Sequence, residues 1–137
     1  MGDIDEIRTL INRWAVAVHA GDLEGVLAGH ADDIVMFDVP PPHRGARGLE
    51  AYRSTWPDFF EWQRSGALFE IVELDVTAGS DVAFAHALLR CGKPTEEEPV
   101  LEPRLRLTLG LRREADGWLV AHEHHSFADT SAPPADT

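Results

Sequence analysis

The sequence predicts an α+β domain in which three N-terminal helices lie over one face of a curved antiparallel sheet. Three observations carry that expectation. Apolar residues recur every three or four positions from Ile4 to Val18 and again from Leu49 to Phe60, the spacing of a helix with one buried stripe. Beyond residue 67 the period drops to two. The runs Leu68 to Thr77, Val82 to Arg90, Arg104 to Arg113 and Trp118 to Phe127 alternate apolar with polar, as half-buried strands do. Short turn segments, Gly79-Ser80-Asp81 and Asp116-Gly117, join these runs in pairs, which makes an antiparallel meander. Helices that precede such a sheet bury a common core only by covering one of its faces, and the curvature leaves a cone-shaped hollow between the layers.

The elements follow in chain order. Asp3 with Glu6 three residues on has the spacing of a capping arrangement. Ile4, Ile7, Ile11, Trp14 and Val18 then form the stripe of a first helix that stops near Gly21. Asp22 can cap a second, shorter helix carrying Leu23, Val26 and Leu27 and ending around Gly29 and His30. Ile34 to Val39 is β-rich and closes at Pro40-Pro41-Pro42, a run that continues neither a helix nor a central strand. Asp38 stands at the end of that strand. Leu49, Tyr52, Trp56, Phe59 and Phe60 outline a third helix to about Trp62, which Pro57 should kink or restart. The loop from Gly92 to Pro99, with Glu96-Glu97-Glu98, should be exposed and mobile. Residues 128–137 lack periodicity and read as a disordered tail, so one domain spans 1–127.

With 137 residues and 44% apolar content the chain fits one compact domain. Its 12 basic and 24 acidic residues leave a net charge of -12, which repels phosphate backbones and anionic membranes. Neither nucleic acid nor a membrane is an expected partner. No apolar run approaches the roughly 20 residues of a membrane-spanning helix, and the N-terminus lacks the basic start and apolar stretch of a signal peptide. A cytoplasmic protein is the expectation. The single Cys91 excludes an internal disulfide and a cysteine zinc cluster, and reads as a buried, inert thiol.

The densest chemistry lies in the last strand, which holds three of the seven histidines within four positions. Regular alternation puts His122, His124 and Ser126 on one face and Glu123 and His125 on the other. Two imidazoles side by side can donate, accept and exchange protons near neutral pH, so they suggest a polar patch inside a pocket. Glu123 and His125 would then sit on the convex surface or in a dimer contact. In the preceding strand Leu105, Leu107, Leu109 and Leu111 share a face opposite Arg104, Arg106 and Thr108. The leucines are expected inward; the alternative sets Arg106 beside the histidines as an anion anchor. His19, His30 and His43 lie near helix ends or loops and read as surface residues, while the face of His86 is open.

The Ala20-Gly21-Asp22 turn, the Phe37-Asp38 strand end, Arg44-Gly45, Arg106-Leu-Thr-Leu-Gly-Leu111 and His122-Glu-His-His-Ser126, in this order of elements, resemble the nuclear transport factor 2-like superfamily. Within it the chain is similar to SnoaL-like proteins, often described as ketosteroid isomerase homologues, over roughly residues 3 to 127. The resemblance implies a cystatin-like cone and a homodimer through the convex sheet face. In ketosteroid isomerases a carboxylate ending the first strand abstracts a proton beside a carbonyl, while a tyrosine and a protonated aspartic acid hold the enolate oxygen. Asp38 falls at the base's position, but Trp14 and Leu109 fall at those of the two oxyanion donors, and Leu109 can donate nothing.

The resemblance therefore implies a small-molecule pocket on which Asp38, its pKa raised by desolvation, acts as base with His122 and His124 as proton donors or polarising groups. Trp14, Tyr52, Trp56 and Phe60 would form apolar walls, with Arg106 and Ser126 as further ligand contacts. The expected ligand is carbonyl-bearing or polyketide-like, and the chemistry is of isomerase, cyclase or dehydratase type with no cofactor and no metal. Other readings stand beside it. Asp38 could cap the proline turn, the histidines could form a structural ladder, His122, His124 and Asp38 could form an open metal site, or the domain could be a non-catalytic ligand-binding or dimerisation module.

Overall fold

The computed structural model describes residues 2–115 and 117–131; residues 132–137 of the expected tail lie outside them. Helix α1, Asp3–Ala20, buries Ile7, Ile11, Trp14 and Val18 along one stripe. Its N-cap is Gly2, without a side-chain cap. Asp3 instead lies in the first turn and pairs with Arg113. Gly21, at φ 70°, ends the helix in the left-handed conformation that glycine adopts without a Cβ penalty. Asp22 accepts from the Gly25 N–H at 3.1 Å and caps α2, Leu23–Leu27. The third expected helix is two segments, α3 Leu49–Ser54 and α4 Trp56–Gln63, broken at Thr55 with Pro57 in the first turn of α4. Proline is tolerated there because first-turn N–H groups have no partner within the helix.

The strands are β1 His30–Phe37, β2 Ala46–Arg47, β3 Leu68–Ala78, β4 Val82–Gly92, β5 Leu105–Glu114 and β6 Gly117–Ser126. They form one mixed sheet in the order β2-β1-β6-β5-β4-β3. The last four pair as the expected meander. β1 joins parallel to β6, as it can because most of the chain intervenes as a crossover. β1 starts at His30, earlier than its apolar run, and stops at Phe37, so Asp38 sits just past the strand end.

The helices cover the face formed by Leu105, Leu107, Leu109 and Leu111 of β5, Ala83, Ala85, Ala87 and Leu89 of β4, and Val120 of β6. The leucines point inward, as expected, and Arg106 and Thr108 outward. β6 departs from regular alternation. Leu111 stands opposite Val120, but Gly110 stands opposite His122, so Ala121 is an extra residue on the β6 side. Such a bulge exchanges the faces of every residue beyond it. Trp118 and Val120 are buried before it, and Glu123 and His125 after it. The assignment of His122, His124 and Ser126 to the inner face is thereby reversed.

Candidate functional site

A cavity of about 980 Å³ opens between α3–α4, the 38–46 loop and the inner sheet face. Its walls are Met36, Val39, Pro40 to Pro42, Ala46, Trp56, Phe59, Trp62, Phe69, Leu105 and Phe127, and the polar groups on it include Asp38 and His125. Gly45 also lines it, at φ 75°, because a Cβ there would overlap the Met36 carbonyl oxygen. The proline run and the β1–β2 connection thus hold Asp38 at the cavity wall.

Behind Asp38 runs a chain of buried polar side chains. His125 Nδ1 is 3.4 Å from Asp38 Oδ1, and its Nε2 is 2.9 Å from Glu123 Oε1. Glu123 is fully buried. Its Oε2 accepts from the Tyr52 hydroxyl at 2.7 Å and lies 2.6 Å from His30 Nε2. The Trp14 indole N–H donates to the Tyr52 oxygen at 3.0 Å, and His30 Nδ1 donates to the Ala28 carbonyl at 3.1 Å. Every carboxylate oxygen of Glu123 thus has a donor, which is the condition for burying a charge at tolerable cost.

These contacts set the charges. Burial pushes Glu123 up, but hydrogen bonds from His125 and His30 and their charges outweigh it and hold the carboxyl at about 2. Burial also opposes charge on His125, yet Asp38 and Glu123 on its two sides raise it to about 9, so it is an imidazolium at neutral pH. Asp38 differs from expectation. Desolvation raises its pKa, but contact with His125, the imidazolium charge and the Val39 N–H at 2.8 Å together lower it below the ordinary carboxylate value. Burial, with the negative charge of Glu123, lifts the Tyr52 phenol well above its usual range. Burial and then Asp38 push the Cys91 thiol up to about 11, which agrees with an inert cysteine, but the residue is half-buried and lines the cavity, where the sequence placed it in the interior.

Of the expected site residues, Asp38 and Trp56 line the cavity. Trp14 and Tyr52 are core residues that reach the polar chain and not the cavity wall. Phe60 lines a smaller hollow of about 320 Å³ with His19 and Gln63. His122, His124, Arg106 and Ser126 are on the outer sheet face: His122 Nδ1 donates to the Val35 carbonyl at 2.7 Å, Phe37 meets both imidazole rings, and Arg106 Nε donates to Ser126 Oγ at 3.1 Å. The bulge at Ala121 is the reason. It also separates His122 and His124 from Asp38, so these three do not form a shared metal site, and no other metal-binding group of His, Cys, Asp or Glu occurs among the described residues.

Sequence reasoning missed His125, Glu123 and His30. Leu109 stands opposite Glu123 and Leu107 opposite His125, so the inward leucines marked the correct partners, but only for a reader who knew the register. His30 carried no such signal.

No curated protein matches the chain. Among solved structures it is similar to an NTF2-like protein of unknown function from Pseudomonas putida, at 38% identity over 90% of this chain and 84% of that one, with a TM-score of 0.79. An NTF2-like protein with a cystatin-like fold from Novosphingobium aromaticivorans shares 23% identity over 95% and 84% of the two chains, TM-score 0.74. A ketosteroid isomerase-like protein from Erwinia carotovora shares 22% over 93% and 97%, TM-score 0.70. These last two speak to the fold. The SnoaL-like domain matches residues 7–130, nearly the whole of the folded region with its cone, cavity and wall carboxylate, and the chain belongs to that family within the NTF2-like superfamily.

Proposed function

We propose that this protein binds a moderately apolar, carbonyl-bearing or polyketide-like molecule in the cavity and moves a proton of that ligand at Asp38, in chemistry of isomerase, cyclase or dehydratase type. The observation that carries this reading is the Asp38 carboxylate on the wall of a largely apolar cavity with the His125 ring 3.4 Å behind it, a contact that lowers the proton affinity of Asp38. In the free protein Asp38 is a weak base. A bound apolar ligand displaces the water that still reaches it, which raises its proton affinity at the moment of reaction. His125, fixed between two carboxylates, holds the orientation of Asp38 and its charge.

The test begins with a thermal-shift screen of aromatic and polyketide-like molecules, since a ligand selective for the native state raises apparent stability. Turnover of any hit is then compared with that of Asp38→Asn, which keeps shape and an acceptor but removes basicity. A fall of about 10² or more with retained binding supports proton transfer at Asp38. Unchanged turnover removes Asp38 as the base. The low proton affinity of Asp38 favours one second reading, in which the pair only orients a ligand; ligands that bind and are never turned over would favour it.

A further inference from the structure

The charges around the cavity are one-sided. The chain has 12 lysines and arginines, yet none lines the cavity, whereas Asp38 and Asp58 both do. The positive charge of His125 does not redress this, because it is shared between Asp38 and the buried Glu123. Asp58 is exposed on α4, and its carboxylate makes no hydrogen bond or ion pair with any described residue. Trp62 stands four positions further along α4, so the two side chains share one helix face. It also lines the cavity and is 42% exposed. Its ring lies 5.4 Å from that of Phe59, which continues inward to Trp56 at 5.5 Å and Phe69 at 5.7 Å.

We infer that the cavity selects ligands that carry a protonated amine on a flat apolar body: the ring system fills the aromatic wall, and the ammonium lies at the mouth between the Asp58 carboxylate and the Trp62 indole face. A free carboxylate beside an exposed indole offers a cation both an ion pair and a quadrupole. The same arrangement disfavours carboxylates, phosphates and other anions, which would meet two carboxylates and no lysine or arginine, the one cationic side chain on the wall, His125, being already held between Asp38 and Glu123. This inference rests on the cavity being a ligand site and adds the charge class of what it takes.

Three probes of one skeleton test it by titration calorimetry on the full chain: 1-naphthylmethylamine, 1-naphthylmethanol and 1-naphthoate. The amine should bind about fivefold to tenfold more tightly than the alcohol, the size of one exposed ion pair plus one exposed cation–π contact, and the naphthoate most weakly. Salt at about 0.5 M should shrink the amine's advantage, and Asp58→Asn should remove it. Equal affinities for amine and alcohol, an advantage that survives Asp58→Asn, or tightest binding of the naphthoate would overturn the charge selection while leaving the cavity as a ligand site. Failure of all three probes to bind would count against both.

Discussion

Replacing Glu123 with glutamine removes one negative charge from the most enclosed polar position in the molecule and changes almost nothing else in size. Three donors converge on this carboxylate, from His125 at 2.9 Å, His30 at 2.6 Å and the Tyr52 hydroxyl at 2.7 Å. A glutamine presents one acceptor oxygen and one NH2 donor, so one side of the side chain must face a donor with a donor. Breaking one partner of a buried ion pair costs on the order of 3 to 5 kcal/mol, because the remaining charge is left uncompensated. The rise of His125 from 6.5 to about 9 corresponds to about 3 kcal/mol of native-state stabilisation, part of which is the same interaction seen from Glu123. A loss of about 3 kcal/mol near neutral pH is therefore expected. The pH dependence gives a second readout. A raised histidine stabilises fully below its unfolded pKa, and that contribution is lost as pH rises from 6.5 towards 9. A lowered carboxylate stabilises above its unfolded pKa, and its contribution is lost as pH falls from 4.5 towards 2. The wild-type protein should hold its stability between those limits and decline on both sides. Urea unfolding followed by tryptophan fluorescence, at about pH 5.5 and about pH 9, should show a smaller alkaline decline in Glu123→Gln than in the wild type. A variant within 1 kcal/mol of wild type, with the same alkaline decline, would refute the account of the buried carboxylate as the anchor of His125.

Two further outcomes are expected. Gly45→Ala should destabilise by more than about 2 kcal/mol in the same urea assay, since the new Cβ would overlap the Met36 carbonyl and press on the Phe37 ring at a φ of 75°; a loss below about 0.5 kcal/mol would show that the loop yields freely. We also propose that the outer sheet face pairs two copies, because Val82 and Phe84 are 66% and 51% exposed there, with Asp75 opposite His86 and with Glu73 and Arg106 on either side of Leu88 further along β4. A two-fold axis through β4 can bring acid onto base. Sedimentation should give twice the chain mass for the wild type and the single mass for Phe84→Glu, and a wild-type monomer at about 100 μM would remove the proposal.

The layers were legible because period alone distinguishes a stripe at every third or fourth residue from alternation, and neither α1 nor the strands β3 to β6 depended on distant contacts to choose between them. Pro57, Asp22 and Gly21 act within a few residues of themselves, so their effects on helix ends were readable too. β1 was harder. Its first residues, His30-Ala31-Asp32-Asp33, have no strand pattern of their own and pair with β6 only because the remainder of the fold delivers that strand alongside. The site failed at a single residue. Trp118 and Val120 are buried, and strict alternation from them carries His122 and His124 inward; one additional residue at Ala121 reverses both. Bulges of this kind answer to the neighbouring strands on either side and leave no mark in local sequence. Asp38 was found because it ends a strand before three prolines and, by the resemblance to ketosteroid isomerases, falls at the position of their base, but its pKa was misjudged because the imidazole that lowers it had been assigned to the other face.

That reversal changes what the site can do. A lone carboxylate in an apolar cavity would be held protonated by desolvation, ready to accept nothing until it lost its proton. Asp38 and the buried Glu123 together make His125 a cation at neutral pH, and the cation in turn keeps Asp38 ionised and oriented at the wall. Hydrocarbon of similar volume at Glu123, His125 and His30 would stabilise the core at least as well, since buried ion pairs seldom repay their own desolvation. The enclosed carboxylate is therefore better explained by what it does to Asp38 than by what it does for the fold. On this reasoning Glu123→Gln should alter the pH profile of any turnover found in the cavity, while Asp38→Asn should abolish turnover without comparable loss of stability.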